Sequence, residues 1–284
     1  MKKALVIYNP VAGQKKLLNT KRIIEDTLKK TGYEYDFFET LPVSRQPLEQ
    51  FAEKKYDRII VSGGDGTVAE VTSFLIDRKI KTPLVIIPQG SANILAVSLQ
   101  LPLMPGMALS RGLRSEGRAL DAMKINNQRY GMIATGVGYD TMVMADTPRY
   151  LKRKIGFFAY LWTVLKTILY YHAHPYKLTI DGRRITVMAK TIMAFNLLPL
   201  GHLKITKPFT GIPISPKDGL LNIFSLNPKP VRNMLGFRKM IQVFQGKKIS
   251  IKTKKARRYQ IDGNVFKGRT VTIEVLPKAI YIAY

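Results

Sequence analysis

The sequence predicts an α/β domain with a parallel sheet, followed by a second, β-rich domain with a sandwich-like architecture. Up to about residue 100, apolar strand-like runs alternate with helical runs, which is the pattern of a parallel sheet with crossover helices. After residue 120, short β-like runs joined by turn signals take over. The chain has 284 residues, of which 46% are hydrophobic, so both domains have material for a core. We therefore expect domains at residues 1–120 and 121–284, with a hinge near 115–121.

The elements of the first domain follow from their apolar spacing. Strands are predicted in "KALVIYNP", "YEYDFFET", "DRIIVSGG" and "TPLVIIPQG". Helices are predicted in "LLNTKRIIEDTLKKTG", "QPLEQFAEKKY" and "VAEVTSFLIDR", and after "PQGSAN". In parallel sheets, ligands bind beyond the carboxyl ends of the strands, so the loops "NPVAGQKK", "SGGDGT" and "PQGSAN" are the candidate binding loops.

The elements of the second domain are mostly short strands. They are predicted in "ALDAMKINNQRYGMIATGVGYD", "YKLTIDGRRITVMAKTIMAFN", "DGLLNIFSL", "KKISIKT", "RRYQIDGNVFKGRTVTIEVLP" and "AIYIAY". Two helices are predicted near residues 150–171 and 230–245. This pattern indicates two packed sheets.

The charge of the chain is strongly positive, at +27 with a pI near 10.2, and this favours a polyanionic partner. The chain has no cysteine, so disulfides and thiolate chemistry are excluded and any metal must bind oxygen or histidine. The N-terminus lacks an apolar region long enough for export, and we expect a cytoplasmic protein. Between Asp218 and Asp262 there is no acidic residue but there are eleven basic ones, which favours an anionic surface over a simply solvated face. These are Lys229, Arg232, Arg238, Lys239, Lys247, Lys248, Lys252, Lys254, Lys255, Arg257 and Arg258.

The aromatic-rich segment at residues 155–171 follows the basic run at 149–154. Lys166 interrupts it, and a bilayer span needs about 20 apolar residues, so we expect no span. Two interpretations stay open, a buried helix and a helix at the membrane interface. The second would make the protein peripherally membrane-associated.

The loop "SGGDGT" combines glycines, which let a phosphate approach the backbone, with the N-terminus of a helix, which attracts an anion. Thr67 and Glu70 fit a capping box with Thr67 as the N-cap residue. Asp65 is unexpected there, because a carboxylate repels phosphate unless a cation intervenes. We interpret Asp65 as part of a Mg-nucleotide site, with a turn-forming aspartate as the alternative.

Four stretches together resemble the diacylglycerol kinase catalytic-domain family, which includes bacterial lipid kinases and the sphingosine and ceramide kinases. They are "NPVAG" at 9–13, "GGDGTVAEV" at 63–71, "PQGSANILA" at 88–96 and "DG" at 262–263. The "GGDGT" loop alone is shared with NAD kinases and phosphofructokinases, so the specificity comes from the ordered set. The resemblance covers essentially the whole chain. It implies an NAD kinase/diacylglycerol kinase-like fold with the active site in an interdomain cleft.

The resemblance also implies roles for individual residues. The family's ATP site would correspond here to Asn9, Gly13, Gly63, Gly64 and Gly66, with Thr67 capping the helix below the phosphates. Gly90, Ser91 and Asn93 resemble the "GTxN" loop that completes the nucleotide site, although capping and turn formation would also explain Ser91 and Asn93. Asp121 matches a family aspartate that meets Asp65 through a lysine, for which Lys15 or Lys16 is the candidate; by itself it would pass for a surface residue.

Two further aspartates lie in the second domain. Asp218 resembles a family position that holds a structural Mg²⁺ with backbone carbonyls such as that of Leu220, and a plain Asp-Gly β-turn is an equal alternative. Asp262 matches the family's general base, which takes the proton from the lipid hydroxyl. Two positions depart from the family pattern: Asn264 stands where the family has glutamate, and Ile94 where many members have aspartate.

The function expected from the sequence is an ATP- and Mg²⁺-dependent kinase for a hydroxyl of a membrane lipid, either diacylglycerol or a sphingoid base. Two alternatives stay open: an NAD-kinase-like enzyme with a soluble acceptor, and a catalytically degenerate homologue, which the two departures motivate. The expected partners are the membrane lipid substrate and an anionic membrane surface. Nucleic acid is not expected, because the chain shows no recognisable nucleic-acid motif. A homodimer stays open, since no sequence pattern reports on the oligomeric state.

Overall fold

The computed structural model describes residues 2–12, 17–40, 46–139, 172–197, 214–227 and 241–284. The chain divides into two compact units. The first comprises Met1–Leu120 together with Lys278–Tyr284, and the second comprises Asp121–Pro277. The last seven residues differ from the sequence prediction, which assigned them to the second domain.

The first unit contains the predicted parallel sheet. Its strands are β1 (Lys2–Tyr8), β2 (Tyr33–Glu39), β3 (Arg58–Gly63) and β4 (Leu84–Pro88), hydrogen-bonded in the order β2-β1-β3-β4. Strand β14 (Asn264–Ala283) begins in the second unit, and its end adds to this sheet where Ile282 pairs in parallel with Leu84. This pairing is why the C-terminus belongs to the first unit.

The helices of the first unit are α1 (Leu17–Lys30), α2 (Asp65–Asp77), α3 (Ile94–Ser98) and α4 (Pro105–Arg114). Helices α1 and α4 pack on one face of the sheet, in a core that includes Ile24, Leu28, Leu109, Leu113 and sheet residues such as Val6 and Val85. Helix α2 packs against β3 through a buried face that includes Val68, Val71 and Leu75. Strands β1, β3 and β4 are mostly apolar and buried on both faces because both faces are covered.

Two details of the first unit depart from the sequence prediction. "QPLEQF" forms only a short 3-10 helix (Gln46–Phe51) instead of a longer α-helix. Helix α4 was not predicted; it begins with a proline in its first turn, a favoured position because the missing N–H is not needed there.

The second unit is β-rich, as predicted. Strand β5 (Gly117–Ile125) leads into it, and the other strands that begin in it are β6 (Arg129–Gly131), β7 (Ala134–Gly138), β8 (His174–Ile180), β9 (Arg183–Ala189), β10 (Thr191–Phe195), β11 (Leu221–Leu226), β12 (Ile241–Gly246), β13 (Lys248–Ile261) and β14. The main ladder runs β12-β11-β10-β7-β13-β14, and β8 pairs with β13 and β9. The helix predicted at 230–245 is wrong at residues 241–245, which lie in β12; the earlier part lies outside the described residues.

The core of the second unit is formed by alternating residues of these strands. Leu178, Val187, Ile249, Ile251 and Ile273 are among its members. Each belongs to a strand in which every second side chain points to the same face, so the intervening residues form the other face.

Candidate active site

The three predicted binding loops start at one edge of the parallel sheet. Tyr8 at the end of β1 is in register with Ser62 of β3, and Gly63 is in register with Pro88 at the end of β4. The backbone N–H of Asn9 donates to the carbonyl of Ser62 at 2.9 Å, and that of Gln89 donates to the carbonyl of Gly63 at 2.8 Å. The alternation of strands and crossover helices therefore brings together segments that are about 80 residues apart.

Most glycines of these loops are required by close packing. A Cβ on Gly90 would lie 2.8 Å from the Cα of Gly64, and a Cβ on Gly63 would lie 2.6 Å from the Cβ of Thr67. Gly66, in the first turn of α2, is different because a Cβ there would have nothing within 4 Å. Gly66 is therefore the position of this set where the helix N-terminus is open to an approaching anion.

Asp65 connects two of the loops. It is the first residue of α2, and its Oδ1 accepts the backbone N–H of Ile94, the first residue of α3, at 2.6 Å. Burial raises the pKa of Asp65, while hydrogen bonds from the backbone N–H groups of Ile94, Asn93 and Leu95 act in the opposite direction. The carboxylate thus caps a neighbouring helix, a function that differs from both interpretations considered from the sequence.

Thr67 is not the N-cap residue of α2, so the predicted capping box is wrong. The N-cap residue is Gly64, and no side chain makes the cap hydrogen bond. Thr67 is buried within the first turn of the helix, where its Oγ1 accepts a hydrogen bond from Asn9 Nδ2 at 2.7 Å. Asn9 Oδ1 in turn accepts the backbone N–H of Val11 at 3.0 Å. Asn9 and Thr67 therefore fasten the loop after β1 to the start of α2.

The loop "PQGSAN" is closed by its own asparagine. Asn93 has a left-handed backbone (φ 45°), its Oδ1 accepts the N–H of Gly90, and its Nδ2 donates to the carbonyl of Gly90, both at 2.7 Å. Ser91 is exposed at the tip of this loop. The turn function considered for Asn93 is confirmed by this geometry.

Asp262 lies in the two-residue turn between β13 and β14. Asp262 (φ 46°) and Gly263 (φ 91°) both have positive φ, as the tight hairpin turn requires. The Asp262 carboxylate accepts three backbone N–H groups, those of Met132 at 2.5 Å and of Ile133 and Ala134 at 2.9 Å each. These donors stabilise the ionised form and fix its orientation.

Asn196, which the sequence analysis did not single out, connects Asp121 to the segment that holds Asp262. It is fully buried, and its Nδ2 donates to the backbone carbonyls of Asp121 at 2.9 Å and Met132 at 2.8 Å. Its own N–H donates to the carbonyl of Ile133 at 3.0 Å. The only sequence signal was a polar residue ending an apolar strand.

Asp121 is buried, in contrast to the surface position that its sequence context alone suggested. Its Oδ2 accepts the N–H of Gly219 at 2.8 Å, and Asp218 Oδ1 accepts the N–H of Leu220 at 3.0 Å. Burial raises the pKa of Asp218, and the negative charge of Asp121 raises it further. The turn at 218–220 therefore brings two carboxylates into electrostatic contact within the second unit.

Several predicted residues lie outside the described part of the chain. They are Gly13, Lys15, Lys16, the basic run 149–154, the aromatic segment 155–171, and Lys229, Arg232, Arg238 and Lys239 of the later basic stretch. In the described ranges, no helix is long and apolar enough to cross a membrane. Within those same ranges, no three His, Cys, Asp or Glu side chains come together as metal ligands.

Comparison with known proteins assigns both parts of the chain. A family model described as the diacylglycerol kinase catalytic domain matches residues 3–125, and one described as the YegS C-terminal NAD kinase beta sandwich-like domain matches residues 131–284. The chain belongs to the diacylglycerol kinase catalytic-domain family. The resemblance inferred from the four sequence stretches is thereby confirmed, as is the fold class.

Relatives in this diacylglycerol kinase family carry consistent names. A Staphylococcus aureus (strain Mu3) protein named "Putative lipid kinase" is 28% identical over 241 residues, which are 81% of this chain and 77% of the relative. The "Crystal structure of a putative diacylglycerol kinase from Bacillus anthracis str. Sterne" is 25% identical with a TM-score of 0.81, covering 100% of this chain and 95% of that one. A second structure from that organism, titled "A putative diacylglycerol kinase", is 24% identical with a TM-score of 0.79 and covers 100% of this chain and 97% of that one. This second likeness supports the fold alone.

Proposed function

We propose that this member of the diacylglycerol kinase family is an ATP- and Mg²⁺-dependent kinase that phosphorylates a hydroxyl group of a membrane lipid, either diacylglycerol or a sphingoid base. The observation that carries the proposal is the convergence of three loops at the carboxyl edge of the parallel sheet, with the N-terminus of α2 open at Gly66. Such an edge is where sheets of this class bind phosphorylated ligands. The family assignment adds that the ligand of this fold is used for phosphoryl transfer.

The nucleotide phosphates would bind at the start of α2. There the N–H groups of the first turn have no carbonyl partner within the helix, and the positive end of the helix dipole favours negative charge. Asn9 and Thr67 would hold the loop after β1 in place, and Asp65 and Asn93 would hold the loop after β4. These polar contacts make the site rigid before nucleotide arrives, which lowers the entropic cost of binding.

Asp262 would act as the general base. It would accept the proton of the lipid hydroxyl while the hydroxyl oxygen forms a bond to the γ-phosphorus of ATP and the bond to the β,γ-bridging oxygen breaks, so that ADP leaves. A loose phosphoryl-transfer transition state needs an oriented acceptor more than a strong base. Its bonds to residues 132–134 give Asp262 that orientation.

The residues present fit a hard divalent cation at the turn that contains Asp218. The carboxylates of Asp121 and Asp218, which repel each other, would supply oxygen donors of the kind that Mg²⁺ prefers, together with the backbone carbonyl of Leu220. A bound Mg²⁺ would supply the counter-charge and stabilise this turn.

The direct test is incubation with radiolabelled ATP, Mg²⁺ and mixed vesicles that contain diacylglycerol, sphingoid base or ceramide, with Asp262→Asn as the inactive control. We expect label in one lipid class and about 10²–10⁴-fold less with the control variant. Absence of label in every hydroxylated lipid, under conditions in which a related lipid kinase is active, would refute the proposal.

The same assay separates the two alternatives. Label in NAD rather than in lipid would identify a soluble-acceptor kinase. The degenerate homologue is favoured by Asn264, which is exposed at the start of β14 and cannot ionise. If wild-type protein binds ATP without turnover and Asn264→Glu gains turnover, the degenerate interpretation is correct.

A further inference from the structure

We infer that one face of the sheet β9-β8-β13 is a docking surface for an anionic lipid bilayer, and that it holds the enzyme at its substrate. We call it the cationic face and define it by Lys177, Arg184, Met188 and Lys252. The inference rests on the proposed lipid kinase function and adds to it the surface that meets the membrane.

The strand register places these side chains on one face. Lys177 pairs with Lys252 across the β8–β13 ladder and with Thr186 across the β8–β9 ladder. Arg184 pairs with Thr179, which is two residues from Lys177 and so points the same way. The intervening residues Tyr176, Leu178, Val187, Ile249 and Ile251 are buried in the core, which fixes the cationic face as the outer one.

The charges on this face are arranged unfavourably for the isolated protein. Lys177 and Lys252 are directly opposed and both exposed, and like charges in directly opposed positions destabilise a sheet. Two acidic groups beside this face already have partners. Glu274 forms an ion pair with Lys248 at 2.9 Å, and the carboxylate of Asp181 accepts the backbone N–H groups of Lys247 and Lys248. An external anion over the face would therefore relieve the repulsion.

Three features favour a lipid surface as that anion. The side chains beside them on this face, those of the half-buried Thr179 and Ser250 and the exposed Thr186, are short, so the lysine and arginine side chains can reach a plane of lipid phosphates. Met188 is 53% exposed beside them, and its thioether chain can enter the headgroup region. The described residues of the face include no aromatic side chain on which a nucleic-acid base would stack.

The test is co-sedimentation of the full chain, without ATP, with phosphatidylcholine vesicles that do or do not contain phosphatidylglycerol. The test variant carries Lys177→Gln, Arg184→Gln and Lys252→Gln. The matched control carries Lys29→Gln, Lys30→Gln and Lys55→Gln, three exposed lysines of the first unit, so both lose the same charge.

We expect wild-type binding only to the anionic vesicles and weaker binding as salt is raised. The test variant should bind about 100-fold less tightly, since each near-surface cation contributes about 1 kcal/mol and 1.4 kcal/mol is tenfold. The control should stay close to wild type. The test variant should also unfold at a slightly higher temperature than wild type, because the Lys177–Lys252 repulsion is gone.

The inference is overturned if the two triple variants lose vesicle affinity equally, if neither loses it, or if the cationic face instead accounts for binding to a DNA or RNA oligonucleotide or to a second copy of the chain. Kinase activity on detergent-dispersed lipid is measured separately. Vesicle binding through the face without any lipid phosphorylation would refute the proposed function and leave the docking surface standing. If the test variant phosphorylates detergent-dispersed lipid as wild type does but no longer binds vesicles, the result supports both the docking surface and the proposed function.

Discussion

Asp65 offers the sharpest test of how the candidate active site works, because its carboxylate has a visible structural function and a proposed chemical one. Its Oδ1 accepts the N–H of Ile94 at 2.6 Å, which caps α3. Asp65→Ala removes this bond, and loss of a cap costs about 0.5–2 kcal/mol. Asp65→Asn keeps an amide oxygen as acceptor, and Asn caps helices about as well as Asp, so less than about 0.5 kcal/mol should be lost.

The two substitutions thus separate the cap from the charge. By thermal unfolding, Asp65→Ala should lower Tm by about 1–8 °C, taking about 2–4 °C per kcal/mol for a chain of this size, and Asp65→Asn should stay near wild type. In the lipid kinase assay both should be slow, by about 10²-fold or more, because the proposed role of the negative charge is to hold the cation that neutralises the phosphates. The result that refutes this reasoning is Asp65→Asn with wild-type turnover, since the carboxylate would then serve only as a cap.

The pH dependence provides an independent check on Asp65. Burial raises its pKa in the folded state above the ordinary value of 3.8, so the folded protein binds more protons than the unfolded chain between these two pKa values. Stability contributed by Asp65 should therefore fall as pH rises from about 3.8 through the folded pKa, and Asp65→Asn should flatten this part of the profile. A profile that Asp65→Asn leaves unchanged would contradict the burial of the charge.

Four further substitutions probe the remaining contacts. Gly90→Ala should destabilise the first unit by about 1–3 kcal/mol, because the new Cβ would lie 2.8 Å from the Cα of Gly64. Gly66→Ala should have the stability of wild type but should bind ATP more weakly, as measured by calorimetry. Equal stability of the two variants would contradict the close packing at Gly90. Asn196→Leu should cost about 2–4 kcal/mol by denaturant unfolding because the carbonyls of Asp121 and Met132 lose their hydrogen bonds from the buried amide, and should lower kcat more than it changes the KM for ATP. A changed KM with an unchanged kcat would count against its function in positioning Asp262. For the pair Asp121 and Asp218, Mg²⁺ should raise the Tm of the wild-type protein at neutral pH. Asp218→Asn should raise the Tm measured without metal, because the repulsion between the carboxylates is gone, and should abolish the increase in Tm that Mg²⁺ causes. If Mg²⁺ still raises the Tm of this variant, the ion binds elsewhere.

The sequence by itself determined the class of fold and the set of binding loops. Alternation of apolar and helical runs specifies crossover connections, and a parallel sheet necessarily puts the loops after β1, β3 and β4 at one edge. The ordered motifs, with Asp65 and Asp262 among them, were enough to identify the family. These features are local in sequence, so reading the chain in order recovers them.

Only the tertiary structure decided what each polar side chain binds. Thr67 has the sequence context of an N-cap residue, yet it lies inside the first turn, where Asn9 from another strand donates to it. Asp65 caps a helix that begins 29 residues later, and Asn196 connects carbonyls 64 and 75 residues away. The cationic face likewise exists because register opposes Lys177 and Lys252. Such partners depend on how strands pair across long loops, and spacing along the chain carries no information about that pairing.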